Sequence, residues 1–399
     1  MLLTVSKRLE FSASRRLHVE AWSEAENRAA FGAETTARYG TGRNYLAFFV
    51  LAGEVDRANG MLVNISELKR RAQEVLHAHF DHQFLNEDHP AFRAQPPTAE
   101  NIARQLFQEV APLFSDLTAR LAVCHLQETP ERSATCYADG LVEGHHWLEF
   151  SAARQTMSPH LSATENEHLF GSAASPHGHG HHYRARFTFS AEPPASALAE
   201  VLGSLGQELD HKNLNREVPG LTDRPITTES LAHYLHERVA ATLPITRVRL
   251  HERPDFFAEY WSGDRYFLGL QMPFSAAHRL HAGELSTAEN LELYGKCNNP
   301  HGHGHRYLAE ATIGGDYEER SGTLFDFTRL VSGTAAALAP WQDRHLDLET
   351  GEFSDQPSTG ENIVRALWPK CDRELGGRLV RLRLWETPNN RFTLRLANG

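Results

Sequence analysis

The densest chemistry in the sequence lies between residues 294 and 307, YGKCNNPHGHGHRY, where one cysteine and three histidines fall within fourteen positions. His303 and His305 are two apart, so on a β-strand both imidazoles project from one face. Two imidazoles on one face can share a metal ion. A tetrahedral site then needs a further protein ligand and keeps one position for water or substrate. His278, in FSAAHRL on the preceding predicted strand, is the expected third ligand. Cys297 stands six residues before His303. It is a fourth ligand or a nearby nucleophile or base, because a thiolate beside a cation can take protons at neutral pH.

The protein supplies its own control, because five landmarks recur three times in the same order. They are FSASRRL at 11, FSAARQT at 150 and FSAAHRL at 274; TARYGTGRNY, SPHGHGHHY and NPHGHGHRY, ending at Tyr45, Tyr183 and Tyr307; FDHQFLNED at 80, LDHKNLNRE at 209 and WQDRHLDLE at 341; PPTAENI at 96, PITTESL at 225 and PSTGENI at 357; and LQETPERS at 126, LHERPDFF at 250 and LWETPNNR at 384. The period of 124 to 139 residues is domain-sized, so the chain is an internal triplication. The expected domains are residues 1–140, 141–264 and 265–399.

The copies differ where the chemistry would be. Copy 1 has Arg15, Thr41 and Arg43 at the three ligand positions, and copy 2 keeps His179 and His181 beside Arg154. A guanidinium repels a divalent ion, so only copy 3 carries a complete set. The equivalents of Cys297 are Thr35 and Ala173. The pattern then inverts. Asp81-His82 and Asp210-His211 are intact acid–imidazole pairs in copies 1 and 2, whereas copy 3 has Gln342-Asp343. This points to a composite site, with metal and Cys297 from copy 3 and an Asp-His pair from a neighbour. Glu128, Glu252 and Glu386 recur, and such a carboxylate suits an amino-pyrimidine edge that offers N–H donors. The Thr98/Glu100, Thr227/Glu229 and Thr359/Glu361 pairs open a predicted helix and add either pocket polarity or simple capping.

Each copy reads as four strands and two helices, an antiparallel sheet with helices on one face. Ser66 is the expected N-cap of the first helix and Thr98 that of the second. Copy 2 has no match for DRANGMLVN of copy 1. Three small sheets leave open edges, and joining them edge to edge would close a ring. The formal charge of -11 argues against general nucleic-acid binding. Four scattered cysteines suit a reducing, cytoplasmic setting, and no apolar run is long enough to cross a membrane.

Copy 3, through FSAAHRL, YGKCNNPHGHGHRY, PSTGENI and WETPNN, resembles the 6-pyruvoyl-tetrahydropterin synthase family and its 6-carboxy-tetrahydropterin synthase relatives of the queuosine pathway. LDHKNLN of copy 2 resembles that family's Asp-His motif. The resemblance implies an α+β fold, three tandem tunnelling-fold domains closing an intramolecular pseudo-trimeric twelve-stranded antiparallel β-barrel with helices outside, and barrels that stack head to head as a homodimer. It implies Zn2+ on His278, His303 and His305, and Cys297 as the catalytic thiol. Asp81-His82 or Asp210-His211 would be the helper pair, and Glu386 the pterin anchor, with Glu128 and Glu252 matching it. The implied activity is that of a zinc lyase releasing triphosphate from 7,8-dihydroneopterin triphosphate, with no redox cofactor. A 6-carboxy-tetrahydropterin-forming enzyme and a non-catalytic pterin- or purine-binding protein are the competing expectations.

Overall fold

The computed structural model describes residues 1–396. Repeat I contributes β1 (Leu2–Arg15), β2 (Thr41–Ala52), β3 (Arg120–Thr129) and β4 (Arg132–Tyr137). Repeat II contributes β5 (Val142–Arg154), β6 (His179–Phe189), β7 (Ile245–Arg253) and β8 (Phe256–Trp261). Repeat III contributes β9 (Arg265–His278), β10 (His303–Gly315), β11 (Leu379–Thr387) and β12 (Asn390–Arg395). Each long strand pairs antiparallel with its neighbours in the barrel, and β12 returns to β1 through Leu2↔Arg395 to Lys7↔Asn390. The twelve strands therefore form one closed barrel, and among the described residues no long edge is left for another protein to pair with.

Alternation within the strands separates two environments. In β1, Leu3, Val5, Leu9, Phe11 and Ala13 belong to the apolar core, whereas Thr4 and Ser6 lie on the opposite face. The core sits between the outer face of the barrel and a jacket of helices. Those of eight residues or more are α1 (Glu24–Phe31), α2 (Ile65–His79), α3 (Ala99–Val110), α4 (Ala163–Phe170), α5 (Ala195–Leu209), α6 (Thr228–Ala240), α7 (Thr287–Tyr294), α8 (Phe327–Leu338) and α9 (Gly360–Glu374).

Two expectations need correction. Each repeat has a third helix, α1, α4 or α7, in the long connection between its first two strands. Each opens with a Ser-x-x-Glu capping box, at Ser23/Glu26, Ser162/Glu165 and Ser286/Glu289. Second, α2 is capped by Asn64 and not Ser66. The Asn64 carboxamide accepts the Ser66 N–H, and asparagine caps as well as serine. Thr98, Thr227 and Thr359 do cap α3, α6 and α9, each accepting the N–H three residues on.

The inner face of the wall is polar. His125, Thr135, His145 and Thr188 form a hydrogen-bonded relay across the seam between repeats I and II, with links of 2.8, 2.7 and 3.0 Å. Burial, followed by the charge of nearby arginines, holds His125 and His251 at a pKa of about 3 and His145 well below its ordinary value. These rings stay neutral in the folded state and take a proton only on unfolding. Stability is therefore expected to fall as pH drops from about 6.5, by on the order of 1.4 kcal/mol per pH unit for each such ring. Denaturant melts between about pH 6.5 and 4.5, above the range of most carboxylates, read this slope; a flat profile would show that the rings are not held neutral.

Candidate active site

The register of β9 and β10 builds the histidine cluster. His278 pairs directly with His303, Ala276 with His305 and Phe274 with Tyr307. The period of two puts all three imidazoles on the helix-facing side, beyond a stacked Phe274–Tyr307 pair. His278 is fully buried, and its Nδ1 lies 2.9 Å from the Ser358 carbonyl. A carbonyl only accepts, so Nδ1 carries the proton and Nε2 presents a lone pair. His278 Nε2, His303 Nδ1 and His305 Nε2 are all buried without a hydrogen-bond partner. One ring nitrogen from each of these histidines lies within 4.8 Å of the others. Burial depresses His278 to about 4 and also lowers His303. Three imidazoles with unsatisfied ring nitrogens gathered this closely fit a borderline transition metal.

Carboxylates and the cysteine border this cluster. Glu386 Oε1 lies 3.7 Å from His278 Nε2 and 3.9 Å from His305 Nε2. Cys297 occupies a 3-10 turn, Gly295–Asn298, after α7 and is half-buried. Burial, and then the charge of Glu386, push its thiol up. A bound cation would act in the opposite direction. Cys297 is not part of the compact three-histidine cluster.

Repeat I closes the site of repeat III. The connection 53–64 lays its backbone over the start of α9. Glu361 Oε1 accepts the Leu62 N–H at 3.0 Å, Thr359 Oγ1 donates to the Gly60 carbonyl at 2.6 Å, and Tyr294 donates to the Asn59 carbonyl at 2.5 Å. Gly60 has φ 70°, and a Cβ there would come within 2.7 Å of Pro357 and 2.8 Å of Asn362, so the turn needs glycine. Burial raises Glu361 to about 7. The same loan runs round the ring. Repeat III gives Leu324 N–H to Glu229 and the Gly322 carbonyl to Thr227 of repeat II. Where repeat II is shortened, Glu192 meets Arg132 of repeat I at 3.1 Å.

Each Asp-His pair is anchored to the first strand of its own repeat. Asp81 accepts the Ser12 N–H and Asp210 the Ser151 N–H, at 2.9 and 2.8 Å, each contacting its own histidine. His82 and His211 are more than four-fifths exposed and adopt left-handed φ values of 59° and 58°. Among the described residues, no hydrogen bond or ion pair of either couple reaches the histidine cluster.

The 6-pyruvoyl tetrahydropterin synthase family pattern matches three times, over residues 4–139, 147–263 and 268–397. The chain belongs to the 6-pyruvoyl tetrahydropterin synthase family. It is an enzyme of that family's lyase type. It is 39% identical over 132 residues to the 6-pyruvoyl tetrahydrobiopterin synthase of Drosophila melanogaster, covering 32% of this chain and 79% of the fly protein. The Homo sapiens protein of the same name is 37% identical over 122 residues, 30% of this chain and 84% of the human one. The solved Caenorhabditis elegans 6-pyruvoyl tetrahydropterin synthase covers 33% of this chain and 96% of its own, at 34% identity and a TM-score of 0.33.

Within this triplicated member of the 6-pyruvoyl tetrahydropterin synthase family, the three equivalent places have diverged. In repeat I, Arg15 pairs with Glu128 and, at 2.7 Å, with Glu34, and Arg43 also binds Glu34. Arg132 adds contacts to Glu128 and Glu100. Ion pairs therefore fill this place. In repeat II, Arg154 pairs with Glu252, whose other oxygen lies 3.0 Å from His181. His179, His181 and Glu252 could themselves form a metal-sized cluster, but Arg154 is in contact with it.

Two residues of repeat III lie outside the sequence-based expectation. His345 Nε2 lies where a Cβ on Gly302, the residue before His303, would come within 2.5 Å. Its Nδ1 is 3.7 Å from Asp347 Oδ2. Asp347 accepts the Arg279 N–H as Asn86 and Asn215 accept those of Arg16 and Gln155, so this backbone clasp is common to all three repeats. Only repeat III makes the clasp with a charged group, beside its histidines. The sequence signal is in WQDRHLDLE, where Asp replaces Asn.

The repeat I network gives a test. Arg15→Met strands Glu128, whose side chain is 1% exposed, and is expected to cost about 3–5 kcal/mol in denaturant unfolding; a near-neutral result would mean that the pair does not hold this place together.

Proposed function

We propose that repeat III is a zinc-dependent lyase site for 7,8-dihydroneopterin triphosphate, releasing triphosphate and forming 6-pyruvoyl-tetrahydropterin. The observation that carries this reading is the convergence of three buried, unpartnered imidazole nitrogens beside Cys297 and two glutamates, in a protein of this family. His278, His303 and His305 would hold the ion. When bound, it would supply Lewis acidity toward the substrate's hydroxyls and stabilise developing oxyanion charge.

The protein's own groups do the rest. Glu361 and Glu386 lie close enough for the charge of Glu386 to act on Glu361. They suit the N–H edge of an amino-pyrimidine, which positions the ring and leaves its three-carbon substituent toward Cys297. The Cys297 thiolate would take a proton from a carbon of that substituent. As the C–O bond to triphosphate breaks, the electron pair leaves with triphosphate. Hydrogens of the substituent move to the ring, so the ring is reduced as the substituent is oxidised and no external oxidant is consumed. A second proton carrier is required on the far side. We propose that it is an exposed Asp-His pair, Asp81-His82 or Asp210-His211, presented by a second molecule stacked head to head. Its exposure and its left-handed histidine suit a group offered outward from the barrel end.

Purified protein is expected to carry about one zinc per molecule and to release triphosphate from dihydroneopterin triphosphate, and a chelator is expected to stop release. Cys297→Ala should lower kcat by about two orders of magnitude or more with metal content unchanged; full activity would remove its proton-transfer role. Glu361→Gln keeps an oxygen for Leu62 N–H but loses the anionic acceptor. It should raise KM and flatten the rise in affinity as pH passes through about 7. Mixing the Cys297→Ala protein with protein lacking both Asp-His pairs should restore part of the activity if the pair crosses between molecules, and none if it does not.

A further inference from the structure

We propose that repeat II holds a second, metal-free binding site for a planar amino-pyrimidine heterocycle bearing a single carboxylate. The ring class rests on the reading given for repeat III; the carboxylate rests on repeat II alone. A cavity of about 320 Å³ opens here, lined by Arg154, Glu229, Glu252, Thr228, His179 and His181 on its polar side. That volume is within the range of small-ligand pockets, ~300–1,000 Å³. Apolar walls come from both repeats, Phe170 and Ala173 from repeat II and Phe325 and Phe327 from repeat III.

Arg154 is the deciding residue. It is 3% exposed, and its Nη2 is used by Thr228 and Glu252. Its Nε and Nη1 are buried with no partner in the protein, which a buried guanidinium tolerates only where something else accepts from it. In repeat I the matching Arg15 is answered by Glu34. Repeat II has Ser172 where repeat I has Glu34, and Ala173 where repeat III has Cys297, so the answering anion is missing and space stands in its place. The lining also selects the size of the anion. It holds two guanidiniums, Arg154 and Arg253, against three carboxylates, Glu229, Glu252 and Asp326, which disfavours a triphosphate, while the two unpartnered N–H groups of Arg154 match a single carboxylate. Glu229, with one oxygen held by Leu324 N–H, offers its carboxyl to ring N–H donors as Glu361 does in repeat III. Without Cys297 and with a guanidinium at the metal position, such a ligand would be bound and not turned over.

The test uses the full-length protein with His303→Ala, His305→Ala and Glu386→Ala, so that the metal set and a ring anchor of repeat III are both broken, and titrates it with fluorescent pterin-6-carboxylate. One equivalent should bind, unaffected by chelator, and at least tenfold more tightly than the neutral 6-hydroxymethylpterin. Arg154→Met should weaken binding tenfold or more. Because that change strands Glu252, Ala173→Trp provides a second variant that fills the cavity and keeps the ion pair; it too should weaken binding tenfold, with melting confirming its fold. Absence of saturable binding, equal binding of the neutral analogue, or binding unchanged by Ala173→Trp would overturn the proposal. Triphosphate release by the unmodified protein reports repeat III alone, so either reading can fail while the other stands.

Discussion

The pairing of the first strand with the last, Leu2–Lys7 against Asn390–Arg395, is the contact on which everything else depends. It turns three small sheets into one wall without ends. It also carries the connection 53–64 onto α9, because repeat I can reach repeat III only across that seam. Leu62, Gly60 and Asn59 give backbone groups to Glu361, Thr359 and Tyr294. The polarity of the pocket is therefore set by closure of the barrel, not by repeat III alone. An open form would keep its three imidazoles on adjacent strands and lose the roof above the carboxylate.

A second constraint is the pleat. One outward stripe runs Phe11-Ala13-Arg15, Phe150-Ala152-Arg154 and Phe274-Ala276-His278 through three strands in equivalent places. An aromatic pair seals each stripe, Phe11–Tyr45, Phe150–Tyr183 and Phe274–Tyr307. The last residue of the stripe is buried in all three cases, at 1%, 3% and 0% exposure. A buried polar group must be satisfied, and the three answers differ: glutamates surround the first arginine, a glutamate and a cavity meet the second, and a constellation of nitrogens suited to a cation surrounds the histidine.

Much of this is legible in the residues. The five recurring landmarks give the triplication, and open edges in a domain-sized repeat argue for closure. The two-residue spacing of His303 and His305, with His278 on the preceding strand, anticipates the cluster. The Ser-x-x-Glu boxes of α1, α4 and α7 are local signals too, but each sits in a short segment between long strands, where the strand pattern dominates. Glu34 as the counter-ion of Arg15, and Asp347 beside the histidines, depend on which loops fold back on which strand ends, and local pattern is silent on that. The cap at Asn64 shows how an Asn two residues ahead of a Ser can compete for the helix start.

Covalent linkage of the repeats has an evolutionary reach. In a ring of identical subunits, one codon writes the same residue at all three equivalent positions, so a change that suits one pocket is imposed on the others. Here Arg15, Arg154 and His278 are separate codons. Selection can tune each vertex separately, since completing the wall needs all three copies while each pocket can keep its own side chains.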